Sequence, residues 1–265
     1  MLDNSQYLIF TLLIIIASII VLKLKILDFK GTISSIFMGN LIYLVTGIGG
    51  FILVIEFFII GFICTKFRFN QKRRKGIAQE KDGIRSWQNV IANGFAFSLF
   101  GTIFYLTNNE IFLIGFISSI AIATGDTLAT EIGLLSSKKP RLITNFKQVE
   151  TGRSGGITIL GSLASIIGII IIILSSSING FSINIDLLSI AIIGSFCGIL
   201  IDSILGATVQ AQYFCDKCEK FTELASHHEQ QNKLIKGRAF IDNNIVNLFS
   251  TLTGSLISIL LIVIF

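Results

Sequence analysis

One proline, two histidines and four cysteines are all that 265 residues contain of the types that break helices, bind soft metals or build disulfide frameworks. Charge is also scarce. Charged residues make up 14% of the chain, against about a quarter in ordinary soluble domains. Hydrophobic residues reach 52% and the mean hydropathy is +0.79. A soluble domain of this length is excluded, and the chain reads as a polytopic membrane protein. Basic residues are missing from the flank before the first apolar run, Tyr7 to Leu22, which carries Asp3, whereas Lys23, Lys25 and Lys30 follow it. A secretory leader has the opposite arrangement, so this run is expected to be a retained helix.

Runs long enough to cross about 30 Å of hydrocarbon as helices occur at Tyr7 to Leu22, Gly49 to Thr65, Val90 to Leu106, Ile111 to Thr130, Gly155 to Leu174, Leu187 to Ala207 and Phe240 to Phe265. A weaker, Gly- and Ser-rich eighth covers Gly31 to Gly47. The expected fold is an all-α bundle of about eight transmembrane helices, seven clear and one weak, in a single integral membrane domain over residues 1–265. Lys and Arg orient it. Eight lie between Lys66 and Arg85, five between Lys138 and Arg153, five between Lys217 and Arg238, and three after the first run. Thr107 to Glu110 and Ser175 to Asp186 contain none. With eight spans all the basic loops share one side, which the positive-inside rule makes cytoplasmic, with both termini outside and a polar layer at the cytoplasmic face. The net charge of +5 and pI near 9.1 then need only anionic lipid headgroups, not nucleic acid. Lys72, Arg73, Arg74 and Lys75 read as a solvated run.

Acidic residues at the ends of the apolar runs are the points where chemistry is expected. A carboxylate at the bilayer centre costs roughly 2.5 to 3.5 kcal/mol and is usually functional. Asp126 lies some 22 Å along an inward-running helix at about 1.5 Å per residue, and Asp202 sits at similar depth on another. Asp242 and Asn93 begin outward helices, and Asn247 follows Asp242 by about one and a half turns. Asp126-Thr127 and Asp202-Ser203 repeat one pattern. Oxygen ligands near cationic loops suit Mg²⁺, which binds through one or two carboxylates and substrate phosphates. Glu131 either joins this layer or orients it through Arg141. Glu56, near the middle of its span, reads as a protonated or hydrogen-bonded packing residue.

Thr151-Gly152-Arg153-Ser154-Gly155-Gly156 precedes a helix expected to begin near Ile157, among Arg141, Lys147 and Arg153. Its backbone N–H groups and the helix dipole would hold phosphate. Glycines equally allow close helix packing in membranes. The last basic loop carries Cys215-x-x-Cys218 and His227-His228, either a structural zinc site or a reduced thiol pair in a capping loop. Cys64 and Cys197 lie within spans as small core residues, and no disulfide is expected.

Taken together, Arg85 to Gly94 (RSWQNVIANG), Gly125 to Gly133 (GDTLATEIG), Lys139 to Thr144, Thr151 to Thr158 and Asp202 to Gln210 (DSILGATVQ) resemble the transmembrane-protein-nineteen-like membrane family, which includes phytyl-phosphate kinase. The likeness covers about residues 25 to 260 and includes Asp242 and Asn247. It implies a kinase that uses a nucleoside triphosphate, CTP foremost, to convert an isoprenyl monophosphate into the diphosphate. On that reading Asp126, Asp202 and Asp242 hold Mg²⁺, with Glu131 beside them. Asn93 and Asn247 fix phosphate or metal-bound water. Arg85, Arg141, Lys147 and Arg153, with Thr151, Gly152, Gly155 and Gly156 of the turn, hold the phosphates. The bilayer, the isoprenyl phosphate and the nucleotide are the expected partners, and a homo-oligomer is compatible with the sequence. A cytidylyltransferase acting on a lipid phosphate would need a similar layer. An ion-coupled transporter would place its acids near the midplane instead.

Overall fold

The computed structural model describes residues 4–74, 83–217, 219–227 and 229–265. Helices α1 (Asn4–Lys23), α2 (Phe29–Lys66), α3 (Phe69–Arg74), α4 (Trp87–Thr107), α5 (Glu110–Gly133), α6 (Ile159–Ile178), α7 (Ile185–Thr208) and α8 (Asn243–Ile264) dominate it. Long aliphatic runs without internal proline extend them, and short polar side chains start them. Asp28, Asn109, Thr158, Asn184 and Asp242 each accept an N–H of the first turn that would otherwise lack a partner. Helices α2 and α4 to α8 are long and apolar enough to cross a membrane, and α1 is a further apolar helix. The α6 run starts later than expected, because Thr158 rather than Gly155 opens the helix.

Straight, α2 would be about 57 Å long at ~1.5 Å per residue, nearly twice the hydrocarbon thickness. It folds back at Gly47 instead, whose φ of 68° and ψ of −165° leave the helical region and favour a residue without Cβ. A Cβ on Gly39 would come within 3.3 Å of the Phe51 ring, and both ends of α2 meet Arg85, its carbonyl at Gly31 and its guanidinium at Gly61. The arms 29–46 and 48–66 are each about 27 Å long, and they occupy the places of the weak and third runs read in the sequence. The first arm packs on α1 through Phe10 stacked on Tyr43, with ring centroids 3.5 Å apart, and through Thr11 donating to Asn40 at 2.8 Å.

Helix α5 is central: 78% of its most apolar stretch is buried, against 28–44% in the other membrane-length helices. Glycine contacts set its register. A Cβ on Gly198 of α7 would meet Ile122 at 2.8 Å, and Gly125 abuts Ile199. Ser195 donates to the Ser118 carbonyl at 3.4 Å. These pairs advance together, so α5 and α7 run parallel and Asp126 comes level with Asp202. On the other side Gly125 lies against Gly168 and Gly133 against Gly161, an antiparallel seam with α6. Helix α8 runs antiparallel to α7, with Ser258 on Gly194, Gly254 on Gly198 and Ser250 on Asp202. Small residues bring these backbones close, which is how helices associate where lipid is as apolar as leucine.

The four basic segments converge at one end of the bundle. Leu27 bridges Arg85, Lys72 pairs with Glu131, Ser154 donates to Glu223, and Gln210 bridges Arg238. Short β structure, which hydropathy does not register, organises two of these segments. Strands β1 (Arg141–Leu142) and β2 (Gly156–Ile157) pair, while β3 (Gln212–Cys215), β4 (Lys220–Thr222) and β7 (Lys233–Lys236) form a sheet ordered β4-β3-β7, and β5 (Ser226–His227) pairs with β6 (Gln230–Gln231). At the opposite end Gly49 abuts the Asn179 carbonyl, and Ser175 donates to Glu56 at 2.7 Å.

Candidate active site

Asp126 and Asp202 face one another from parallel helices where the bundle meets its basic loops. Asp202 accepts the Ser250 hydroxyl from α8 at 2.9 Å. The electrostatic neighbours of Asp126 are Asp202, Glu223 and Arg85. Both aspartates are half-buried, so a ligand arriving from the loop end reaches oxygen that is screened only in part by water.

Arg85 reaches this cluster because Gly61 has no side chain: a Cβ there would lie 2.8 Å from the guanidinium, which also sits over the Phe57 ring. Burial weighs against the charge of Arg85 and pulls its pKa down, and Glu131 and Asp126 offset part of that loss. Glu131 is 1% exposed and does not engage Arg141. It forms an ion pair with Lys72 of α3, whose ammonium also donates to the Cys64 carbonyl at 3.0 Å. The expectation that Lys72 belongs to a solvated run is therefore corrected: it is 1% exposed, because an unpaired Glu131 at that depth would carry a large desolvation cost. Lys75 lies outside the described residues.

Asp242 shares with the two central aspartates an electrostatic neighbour, Glu223. It is exposed and caps α8 by accepting Ile245 N–H at 2.9 Å. Asn93 and Asn247 are both buried at 6% exposure; the Asn93 amide donates within its own helix to Asn89, and the Asn247 Oδ1 is buried without a partner.

The glycine turn is built differently from an open phosphate cradle. The Arg153 N–H donates to Glu150 and the Gly156 N–H to Arg153, so two of its donors are taken internally. Thr158 caps the following helix. Gly155, at φ 77°, lies directly against Ala207 of α7, so its missing Cβ serves packing. Gly152 takes a φ of 89° at an exposed bend beside half-buried Thr151. Arg141 and Lys147 point into solvent on the adjoining hairpin, where Arg141 donates to the Phe146 carbonyl at 2.8 Å. Only Arg153 of this set turns inward, lying 4.3 Å over the Phe221 ring.

Glu223, Lys236, Gln210 and Ser250 join the site without having been nominated by sequence. Glu223 accepts Ser154 at 3.1 Å and Gln210 at 2.8 Å, and loss of water around its carboxyl raises its pKa. Ser250 was the one with a usable signal, since it follows Asn247 by three residues on one helix face.

As to metals, the central donors, Asp126 and Asp202, are both carboxylate oxygen, a set that suits a hard cation. Among the described residues no three Asp, Glu, Cys or His side chains are gathered to hold a metal. The three-aspartate set is thus not preassembled, because Asp242 is engaged at the α8 cap. Cys218, His228 and the His227 side chain lie outside the described residues, while Cys215 is buried.

The profile of the family described as Integral membrane protein DUF92 matches residues 12–255. The chain belongs to this family. An uncharacterised membrane protein of Methanocaldococcus jannaschii is 34% identical over 250 residues, covering 94% of this chain and 92% of its own length. Protein PGR of Arabidopsis thaliana is 34% identical over 272 residues, covering 92% and 93%. Protein VTE6, chloroplastic, of the same plant is 28% identical over 242 residues, covering 89% of this chain and 65% of that protein. No solved structure matches. In this DUF92 protein Asp126, Asp202 and Arg85 lie together at the end of the bundle where its basic loops converge, with Arg153 turned inward beside them.

Proposed function

We propose that this DUF92 protein is a Mg²⁺-dependent prenyl-phosphate kinase that uses CTP at the cytoplasmic face of the cell membrane. The observation that carries the reading is the Asp126–Asp202 pair set level by two parallel helices, with Arg85 beside it, at the end of the bundle where every basic loop converges. The sequence resemblance to a family that includes phytyl-phosphate kinase supplies the substrate class, and the similarity to VTE6 is in keeping with it. Sidedness follows from the positive-inside rule.

The isoprenyl monophosphate is already ionised near neutral pH, so its oxygen attacks the γ-phosphorus without a general base. The γ-phosphorus–oxygen bond to CDP breaks, and CDP departs with the electron pair. What the protein must supply is alignment and neutralisation of charge. Mg²⁺ bound by Asp126 and Asp202 would neutralise triphosphate oxygens. Ser250 orients Asp202 for that task. Asn247, whose buried Oδ1 has no partner, would accept from water or bind the metal. Arg85, held by Gly61, Phe57 and Glu131, lies where it can take the acceptor phosphate. Both histidines can lie outside the chemistry.

The test is incubation of purified protein with CTP, Mg²⁺ and a series of prenyl monophosphates, followed by identification of the nucleotide product. CDP with prenyl diphosphate supports the kinase. Pyrophosphate with a cytidylyl lipid would move the reaction to cytidylyl transfer, and no product from any acceptor would remove the enzyme reading.

A further inference from the structure

One face of the β3–β4–β7 sheet gathers two cations that the reaction described above leaves unused. Phe214 and Phe221 are paired in register and their rings meet at 5.4 Å. Glu223 directly follows β4, two residues from Phe221 and therefore on the same face. Arg153 enters from the glycine turn to lie over Phe221 at 4.3 Å. Lys236, opposite Gln212 on β7, places its ammonium 2.6 Å from the Gly206 carbonyl, one turn beyond Asp202 on α7.

Arg153 and Lys236 lie close enough to act on one another electrostatically. Among the described residues neither forms an ion pair. Glu223, their acidic neighbour, is held by Ser154 and Gln210 instead. Glu223 offsets only part of these two positive charges, so the place keeps a net positive charge that an anionic ligand would neutralise. The glycine turn contributes to such a site through a side chain, since two of its backbone donors are already taken.

We infer that Arg153 and Lys236 are the two arms of a polyphosphate site, with Phe221 holding Arg153 in place. The site takes the triphosphate chain and delivers its terminal phosphate toward Asp202, about one helical turn (~5.4 Å) away. Assigning the polyphosphate to a nucleotide rests on the kinase reading; the demand for an anion does not.

Calorimetric titration of the full chain in detergent with inorganic tripolyphosphate and Mg²⁺ tests this. Lys236→Gln and Arg153→Gln are expected to raise the dissociation constant about tenfold or more, and Lys236→Arg to stay within about threefold of wild type, because it keeps the charge. A prenyl monophosphate titrated separately should bind Lys236→Gln as it binds wild type. Unchanged tripolyphosphate affinity in both neutral variants, with melting midpoints showing folded protein, overturns the inference. So does a loss confined to the monophosphate, which would hand these cations to the lipid headgroup. Loss of tripolyphosphate binding in a protein that never turns over CTP would uphold the anion site and defeat only the kinase.

Discussion

Asp126 and Asp202 were legible as sites because a carboxylate inside an apolar run stands out against its neighbours. Replacing either by Asn keeps size and removes charge, so turnover is expected to fall by at least about 10²-fold while the melting midpoint stays within roughly 2 °C. A parallel loss of folded protein would make them structural instead. Glu223 and Lys236 could not be singled out in that way, since charge in a polar loop gives no hydropathy contrast. Asp242 was visible for the same reason as the central pair, yet it serves as a helix cap, a role that depth along the chain cannot distinguish. Lys236 carries its own pH prediction. Burial and Arg153 lower its pKa to about 8, with Glu223 acting the other way. The unfolded chain, with an ordinary lysine pKa near 10.4, therefore binds more protons between about pH 8 and 10, and the Lys236 contribution to stability rises with pH through that window. Melting curves at pH 7.5 and 9.5 should show a larger gain in wild type than in Lys236→Met. An equal gain in both would place the titration elsewhere.

Helix–helix seams and the loop anchor are where elements were misread or invisible. Hydropathy located the six membrane-length helices and the apolar α1, and the glycine at position 47 marked the break in α2, but nothing in a basic run announces that Lys72 of α3 is buried against Glu131 of α5. Breaking that pair by Lys72→Met is expected to cost about 3–5 kcal/mol through the charge left behind. The double replacement Lys72→Met with Glu131→Leu should recover most of it, as read by denaturation in detergent. Failure of the double variant to recover would mean that packing, not charge, holds α3. The glycine turn shows the converse case. Its composition fits a phosphate cradle, whereas Gly155 is used to dock the turn onto Ala207. Gly155→Ala should consequently lower the melting midpoint as well as nucleotide affinity; a loss of affinity alone would return the turn to the cradle reading.

For the whole molecule, the C-terminal ends of α5 and α7 lie on the side of the basic loops, and the proposed orientation puts that side in the cytoplasm. A single cysteine introduced by Asn145→Cys into a cysteine-free background should be labelled only from the cytoplasmic side; reaction from outside would invert the orientation. The small-residue stripes that set α7 against α5 and α8 explain why the aspartates are level; their similar depth is legible in the sequence, whereas the contacts that hold the helices in that register are not. The most direct measurement is transfer of label from CTP carrying a radioactive γ-phosphate, with wild type and Asp126→Asn assayed side by side on a prenyl monophosphate. Label appearing in prenyl diphosphate with wild type, in step with CDP, and failing to appear with Asp126→Asn is the expected result. Label released as pyrophosphate, or equal transfer by both proteins, would contradict phosphoryl transfer at this site.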